Sequence, residues 1–508
     1  MNFYQSVIES IAHHAMKHPN KTALADSKKA VTYKELWTAV FCLSKKLEAL
    51  GVSPGKCVVV ECSQDVNYMI CEFAVHMLGG IFVPLEKNAA ISRTFEIFAD
   101  TEAVLYIGKK EIPELMKNNI SFYPVIRAMT PAETASSELK EAAVHLGAIS
   151  FPASDDISEI LFSTGTTGKS KGIVLTHGND MAIAENVICG VKMKPENVEL
   201  VPMPLSHSHG LRRTYANLVN GSCTVFSDGV TLLKKVFDLI EKYNVTSMDL
   251  SPSMLSIIFK LSRDRLGDYA DTMDYIQLGS APLSEEDKLH LSRILPDTRL
   301  YNFYGSTEAG CSCLLDFNSM SGKPGCIGRP AVNAHFIVVD EDRNEIESSI
   351  DNTGFLASSG SINMKCYFKA PELTEAAMSK GYIYTKDLGY IDEDGLVYML
   401  GRKDDVINYG GIKISPEEIE SMVMHHDNIE DCACIPVKDA ITGQAPKLYI
   451  VWNPAGKNGS CEYDYKTFKE YLACTLDASK QPKYIELIDE IPRTFNGKIK
   501  RNLLMEKN

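Results

Sequence analysis

The sequence predicts an α/β protein whose parallel sheet is covered by helices on both faces, followed by a separate, smaller α+β unit. Over the first hundred residues apolar strands alternate with amphipathic helices, a β-α-β rhythm that suits a parallel sheet between helical layers. Past Gly401 the pattern changes to mixed strands and helices over roughly a hundred residues, the size of an independent domain. The boundary falls at "LGRKDD", giving domains 1–400 and 401–508.

Each element has a local cause. Thr32-Tyr33-Lys34-Glu35 is a capping box. After it Leu36, Val40, Leu43, Leu47 and Leu50 recur at helical spacing until Gly51 ends the run. "KCVVVEC" reads as a strand, Val66 to Leu78 as a helix and "IFVPL" as the next strand. A polar stretch from Thr130 to Asp156 reads mostly as loop. It leads into "FSTGTTGKSKG" (Phe162 to Gly172), which lies between two strand-like runs, "SEILF" and "GIVLTH", and so caps a hairpin. The next helix is expected only after "THGND". In the tail, "SPEEIE" (Ser415 to Glu420) supplies an N-cap, a first-turn proline and a glutamate three residues from the cap. "CACIPV" and "KLYIVW" read as strands and Tyr465 to Leu476 as a helix.

Composition narrows the function. The chain has 508 residues, 45% hydrophobic and 23% charged, which fits a globular protein of several compact units. Its 52 basic and 66 acidic residues give a net charge of −14, which disfavours nucleic acid or an anionic membrane as partner. The most apolar stretch, "FAVHMLGGIFVPL", is too short to span a membrane and is broken by His76 and Gly79-Gly80. The start lacks the basic leader and apolar core of a signal peptide. The 14 cysteines include two C-x-C pairs (Cys311/Cys313 and Cys432/Cys434) and no C-x-x-C, so they read as buried thiols of a cytoplasmic protein.

The Phe162–Gly172 segment holds three glycines, five hydroxyls and two lysines, materials suited to phosphate. Its spacing excludes a Walker loop, because that motif would need a glycine where Ser163 stands. Backbone N–H groups and hydroxyls would make the grip, with lysine as a point charge. Taken alone, the segment reads as a solvent-exposed turn.

With "YGSTEAG" (304–310), "YTKDLGYIDEDG" (384–395), "GRKDDVINYGGIKISPEEIE" (401–420) and "PRTFNGKIKR" (492–501), this loop resembles, in order, the signature blocks of the adenylate-forming superfamily. That superfamily contains acyl- and aryl-CoA synthetases, luciferase and peptide-synthetase adenylation domains. The resemblance runs from about residue 5 to the end. It implies a large N-terminal domain of doubly wound sheets with a small barrel-like part, and a C-terminal domain that rotates about a hinge. It also implies ATP, Mg²⁺ and, as co-substrate, coenzyme A: a carboxylate attacks the α-phosphate, and a thiol then displaces AMP from the acyl-adenylate.

Site roles follow from the same resemblance. Ser163, Thr164, Gly165, Thr166, Thr167, Gly168, Lys169 and Lys171 would clasp the β- and γ-phosphates and then release pyrophosphate. Ser170 stands where relatives usually carry proline. Thr307 would hydrogen-bond the α-phosphate, and Glu308, with Thr167, would face Mg²⁺. Gly279, Ser280, Ala281 and Pro282 match the stretch against adenine, and Asn302, Tyr304, Gly305, Ser306 and Lys413 are carried over as nucleotide contacts. Asp387 matches the aspartate that accepts both ribose hydroxyls, with Arg402 beside it. Lys498 would bridge carboxylate and α-phosphate once the tail domain folds over the site. Asp404 holds the hinge position, and Gly410 and Gly411 the path of the incoming thiol.

His207 matches a pocket-gate histidine, with Ser206 where an aromatic usually precedes it. Gly305 replaces the indole of acetate-using members, so a larger acid is expected. Pro202 to Leu211 contains no acidic residue, which disfavours amino acids. Arg212-Arg213 reads either as a solvated pair on a helix or as a receptor for a second carboxylate or hydroxyl on the acid. Three functions stay open: an acid–CoA ligase, a free-standing enzyme that loads a carrier-protein phosphopantetheine, and an inactive nucleotide-binding module.

Overall fold

The computed structural model describes residues 4–117, 120–125, 150–163, 171–281, 283–320, 322–403, 405–409, 412–439, 442–455, 462–476, 480–494 and 498–506. Two large sheets, helices between and outside them, and a small C-terminal domain make up the architecture.

The first sheet has seven strands, with Cys57–Glu61 parallel to both Ile81–Leu85 and Leu105–Gly108. Alternation along Cys57–Glu61 sets its two faces. Val58 and Val60 point into the core between the sheets, while Cys57 and Val59 point to the outer core with Ile81, Val83 and Phe98. At its edge Ile157–Ser163 pairs antiparallel with Lys171–Thr176, in register from Ile157↔Thr176 to Ser163↔Lys171. The Phe162–Gly172 segment therefore caps a hairpin, as its flanks imply; Thr164 to Ser170 themselves lie outside the described residues. The following helix starts earlier than expected, at His177, because Thr176 and Asn179 form a reciprocal capping box directly after the strand.

The second sheet carries a parallel run in which Arg299–Ser306, Tyr275–Leu278, Ser247–Leu250, Val198–Val201 and Cys223–Phe226 lie side by side. Beyond Arg299–Ser306 the sheet continues antiparallel through Gly310–Asp316 and Cys326–Pro330 to Val397–Arg402, Tyr382–Ile391, Gly354–Ser359 and His335–Val339. This antiparallel part occupies the place of the small barrel-like portion. Helices Val7–Lys17, Tyr33–Ala49, Val66–Met77, His177–Gly190 and Ser208–Asn220 fill the space between the two sheets and share one core with both. The expected capping box of Tyr33–Ala49 is present, with Leu36, Val40, Leu43 and Leu47 buried. The polar stretch after Thr130 lies outside the described residues up to position 149.

The C-terminal domain has a five-stranded sheet, with Ile429–Asp439 and Gly443–Trp452 forming its long central hairpin. Helix Pro416–Val423 is capped by Ser415, and helix Tyr465–Thr475 by Asp464. Its core (Ile407, Ile419, Leu448, Ile450, Phe468) is its own. Across to the large domain, Lys260 Nζ reaches Glu430 Oε1 at 3.0 Å. No helix among the described residues is long and apolar enough to cross a membrane.

Candidate active site

Parallel sheets present their ligand sites at the carboxyl ends of the strands. The motif residues converge there. Strand Arg299–Ser306 delivers Asn302, Tyr304, Gly305 and Ser306 and leads into Thr307 and Glu308. Ser208, in the first turn of helix Ser208–Asn220, lies 3.1 Å from Thr307 Oγ1 through its own hydroxyl. Glu308 Oε1 accepts from Tyr367 OH at 2.9 Å, and the Lys171 ammonium sits 5.4 Å over the Tyr367 ring. The hairpin root and the Glu308 turn thus meet at Tyr367.

Asp387 and Arg402 face each other across two antiparallel strands. Asp387 is 3% exposed; Tyr304 OH donates to its Oδ2, and Arg402 Nε lies 3.1 Å from its Oδ1. Among the described residues Oδ1 has no well-aligned hydrogen-bond donor, and the Arg402 guanidinium charge faces it. Burial pushes the Asp387 carboxyl above its ordinary value, while Arg402, the Tyr304 hydrogen bond and Lys498 oppose that rise. A buried acceptor with no donor is costly unless a ligand hydroxyl fills it. Asn302 Oδ1 is a second buried acceptor of this kind. These two orphan acceptors suit a nucleoside with free ribose and base donors.

Lys498 arrives from the small domain, on a turn where its N–H donates to Thr494 Oγ1 at 3.1 Å. It lies within electrostatic reach of Arg402, Asp387 and Glu308. Desolvation by the cleft walls and the Arg402 charge lower its pKa, and the two carboxylates oppose this. The side chain keeps an exposed outer face, so water screens part of that lowering. Tyr304, Asp387 and Arg402 are therefore in contact, and Lys498 of the small domain and Glu308 lie within electrostatic reach of one another.

Glu308 keeps one oxygen, Oε2, free of the Tyr367 bond. Among the described residues no three metal-ligating side chains gather in one place. A hard cation here would take one carboxylate from the protein and the rest of its oxygens from phosphates and water.

His207 forms the N-cap of helix Ser208–Asn220 without a side-chain capping bond, and burial lowers its pKa against the pull of Glu86. Gly279 follows strand Tyr275–Leu278, and a Cβ there would meet the Phe303 ring at 2.0 Å. A Cβ on Gly305 would meet the Gly310 carbonyl oxygen at 2.0 Å. The glycine thus has a local cause in strand pairing, and its lack of a side chain does not measure the acyl pocket. Ala281 is half-buried beside Ser280. Thr164, Gly165, Thr166, Thr167, Gly168, Lys169, Pro282, Asp404, Gly410 and Gly411 lie outside the described residues, as do the side chains of Ser163 and Lys413.

Both readings of Arg212-Arg213 are overturned. Neither arginine is solvated, and neither is free for substrate. Arg212 is held by Glu159 and by Asp180, the latter at 2.9 Å. Arg213 is held by Glu199 and donates to Gln277 Oε1 at 2.6 Å. Sequence reading also passed over His209, Asp249 and Tyr367. An aspartate inside the apolar strand "SMDL" was the available sign, because a buried carboxylate needs a partner.

The two-domain fold is that of an AMP-binding, adenylate-forming enzyme. The model of the AMP-binding enzyme family matches residues 11–368, and that of the AMP-binding enzyme C-terminal domain matches 418–498. The chain belongs to the AMP-binding enzyme family. It is 26% identical to the probable CoA ligase CCL5 of Humulus lupulus, over 98% of this chain and 91% of that protein. It superposes on ATP-bound MatB from Rhodopseudomonas palustris with a TM-score of 0.85 at 23% identity, over 99% of each chain. Against O-succinylbenzoate coenzyme A synthetase (MenE) from Bacillus subtilis, in complex with ATP and magnesium ion, the TM-score is 0.80 at 23% identity, over 97% of this chain and 98% of that one.

Proposed function

We propose that this chain joins a carboxylic acid to coenzyme A in two half-reactions, using ATP with Mg²⁺ and passing through an acyl-adenylate. The feature that supports the reading is Lys498, carried by the small domain, lying within electrostatic reach of Asp387 and Glu308 of the large one. A nucleotide-only module has no need of a lysine delivered from a second domain. Asp387, with its unfilled Oδ1, takes the ribose hydroxyls. Thr307, steadied by Ser208, donates toward the α-phosphate. The acid's oxygen attacks the α-phosphorus and pyrophosphate departs, while the Lys498 ammonium offsets negative charge growing between the two anions. Glu308 serves the magnesium ion, which neutralises phosphate charge when bound. The loop from Ser163 to Lys171 clasps the leaving pyrophosphate. For the second half-reaction the domain beginning near residue 401 turns about Asp404, withdrawing Lys498 and opening a thiol path past Gly410 and Gly411.

ATP–pyrophosphate exchange with a panel of carboxylic acids tests the first half-reaction, and exchange with none of them ends this reading. Thioester formation with free coenzyme A against a phosphopantetheine carrier protein decides the acceptor. A product formed only on the carrier makes the chain a loading enzyme instead.

A further inference from the structure

We propose that Tyr367 is a positioning residue of the metal and phosphate site. Its hydroxyl fixes the Glu308 carboxylate for Mg²⁺, and its ring keeps the Lys171 ammonium apart from that carboxylate. This rests on the magnesium–nucleotide part of the reading above.

Tyr367 is held from several sides. Strand Cys366–Tyr367 lies against the second arm of the hairpin, with Cys366↔Val174 and Tyr367↔Ile173 opposed. Its flanks are pinned to the same arm: Lys365 N–H donates to the Val174 carbonyl at 2.9 Å, and Phe368 N–H to that of Gly172 at 2.7 Å. Tyr367 N–H turns the other way, to Thr374 Oγ1 at 3.0 Å. Residues two apart on a strand share a face, so Lys171 stands on the face of Ile173 and hence of Tyr367. Its ammonium sits 5.4 Å over the ring. The phenol reaches beyond the hairpin and donates to Glu308 Oε1 at 2.9 Å, while the Glu308 carbonyl accepts from Met364 N–H at 2.7 Å. With Tyr367 only 8% exposed, ring and hydroxyl have little room to swing.

Two opposite charges thus meet one tyrosine at different places, Glu308 at its hydroxyl and Lys171 over its face. A direct pair between them would tie up the carboxylate meant for a cation and the ammonium meant for phosphate. Contact with a neutral ring and a neutral hydroxyl is weaker than such a pair, so each charge stays available. The hydroxyl also takes only one carboxylate oxygen. Oε1 is held, and Oε2 is presented in a set direction. That suits a hard cation which draws one oxygen from the protein and the rest from phosphates and water. Partners that orient a ligating group commonly carry about 10- to 100-fold of metal affinity. Glu308 is half-buried rather than enclosed, so the lower end applies. Packing alone would be served by phenylalanine, and the test turns on that difference.

The test is direct binding to the full chain. Mn²⁺, followed by its electron paramagnetic resonance signal, is titrated into protein held in excess over α,β-methylene-ATP, a nucleotide that blocks the adenylating step. Nucleotide affinity is measured separately in EDTA. Tyr367→Phe is nearly isosteric, keeps the ring and loses the hydroxyl. Its Mn²⁺ affinity should fall about tenfold, with metal-free nucleotide affinity kept within about threefold. Tyr367→Leu also removes the ring, lets Lys171 swing onto Glu308, and should weaken metal-free nucleotide by about tenfold as well. In a Glu308→Gln background Tyr367→Phe should add nothing to the loss of Mn²⁺ affinity, because it acts through that carboxylate. A tyrosine that only supports the fold gives losses that add. Unchanged Mn²⁺ affinity in Tyr367→Phe, additive losses with Glu308→Gln, or wild-type metal-free nucleotide affinity in Tyr367→Leu overturns the proposal. Binding is read without any acid, so a failure of ATP–pyrophosphate exchange sinks the ligase reading and leaves this result standing.

Discussion

Tyr304 donates its phenolic hydrogen bond to Asp387 Oδ2, and the opposite oxygen of that carboxylate, buried beside Arg402, has no well-aligned donor among the described residues. One oxygen thus accepts an aligned hydrogen bond and the other faces the Arg402 guanidinium. Asp387→Asn should raise KM for ATP on the order of 10- to 100-fold, because it removes an ionised acceptor. Tyr304→Phe, which frees rather than removes an acceptor, should raise it less, by about tenfold at most. The comparison that checks this is ATP against its dideoxy-ribose analogue. Wild type should strongly prefer ATP, and Asp387→Asn should lose most of that preference.

The Arg212 cluster makes a stability prediction with a definite pH sign. Arg212 is buried against Glu159 and Asp180, with Tyr215 donating to Glu159 at 3.0 Å. Burial pushes the Asp180 carboxyl up to about 8, against the pull of Arg212. Folded Asp180 therefore holds its proton through a range in which the unfolded group, at about 4, has lost it. Between those values the folded state binds more protons, so this group's contribution to stability falls as pH rises and levels off above about 8. Asp180→Asn cannot ionise. Its urea midpoint should gain on wild type between about pH 5 and about pH 8, and parallel pH profiles would sink the assignment. Arg212→Met strands a buried carboxylate and should cost about 3–5 kcal/mol.

The same cluster marks where sequence reading stopped. Two helix starts were legible because caps are local: Thr32 and Ser415 each accept the backbone bond their spacing implies, whereas the Thr176 cap of the His177 helix went unread. The hairpin around the Phe162–Gly172 segment was legible for the same reason, since two short apolar runs flank it. Arg212 and Arg213 were misread because a charged pair on a helix looks solvated until its partners are known. Those partners, Glu159, Asp180 and Glu199, come from three other elements at separations of 14 to 53 residues. His209 was hidden likewise, since Asp249 and Ser280 reach it from distant strands. Long-range polar pairing leaves no period in a sequence.

Arg501 ties the end of the chain to the small domain near Lys498. It is 8% exposed, it is bonded to Glu420, and its Nη2 reaches Glu417 Oε1 at 2.9 Å. Burial pushes the Glu420 carboxyl up to about 7, so Arg501 is what allows that group to ionise in the interior. Arg501→Met should destabilise the C-terminal domain by about 3–5 kcal/mol in chemical denaturation. It should slow adenylation through misplacement of Lys498 while leaving KM for ATP, set mainly in the large domain, within about threefold. A variant that weakens ATP binding as much as catalysis would show that Arg501 supports the nucleotide site itself.

In the proposed mechanism Lys498 acts in only one of the two half-reactions. Lys498→Ala should slow acyl-adenylate formation on the order of 10²- to 10³-fold, the usual loss of one transition-state charge contact. Thioester formation from preformed acyl-adenylate should persist, because that step does not use the lysine. Its pH sign follows from its surroundings. Desolvation and Arg402 favour the neutral amine, so the folded pKa lies below the ordinary lysine value of 10.5. The ammonium is lost as pH climbs through that lowered value. Adenylation should fall on the alkaline side with a break below the ordinary lysine range, and Lys498→Arg, which stays charged, should remove the break even where it is slow. Equal losses in both half-reactions for Lys498→Ala would mean that the lysine holds the fold of the cleft rather than the charge of one transition state.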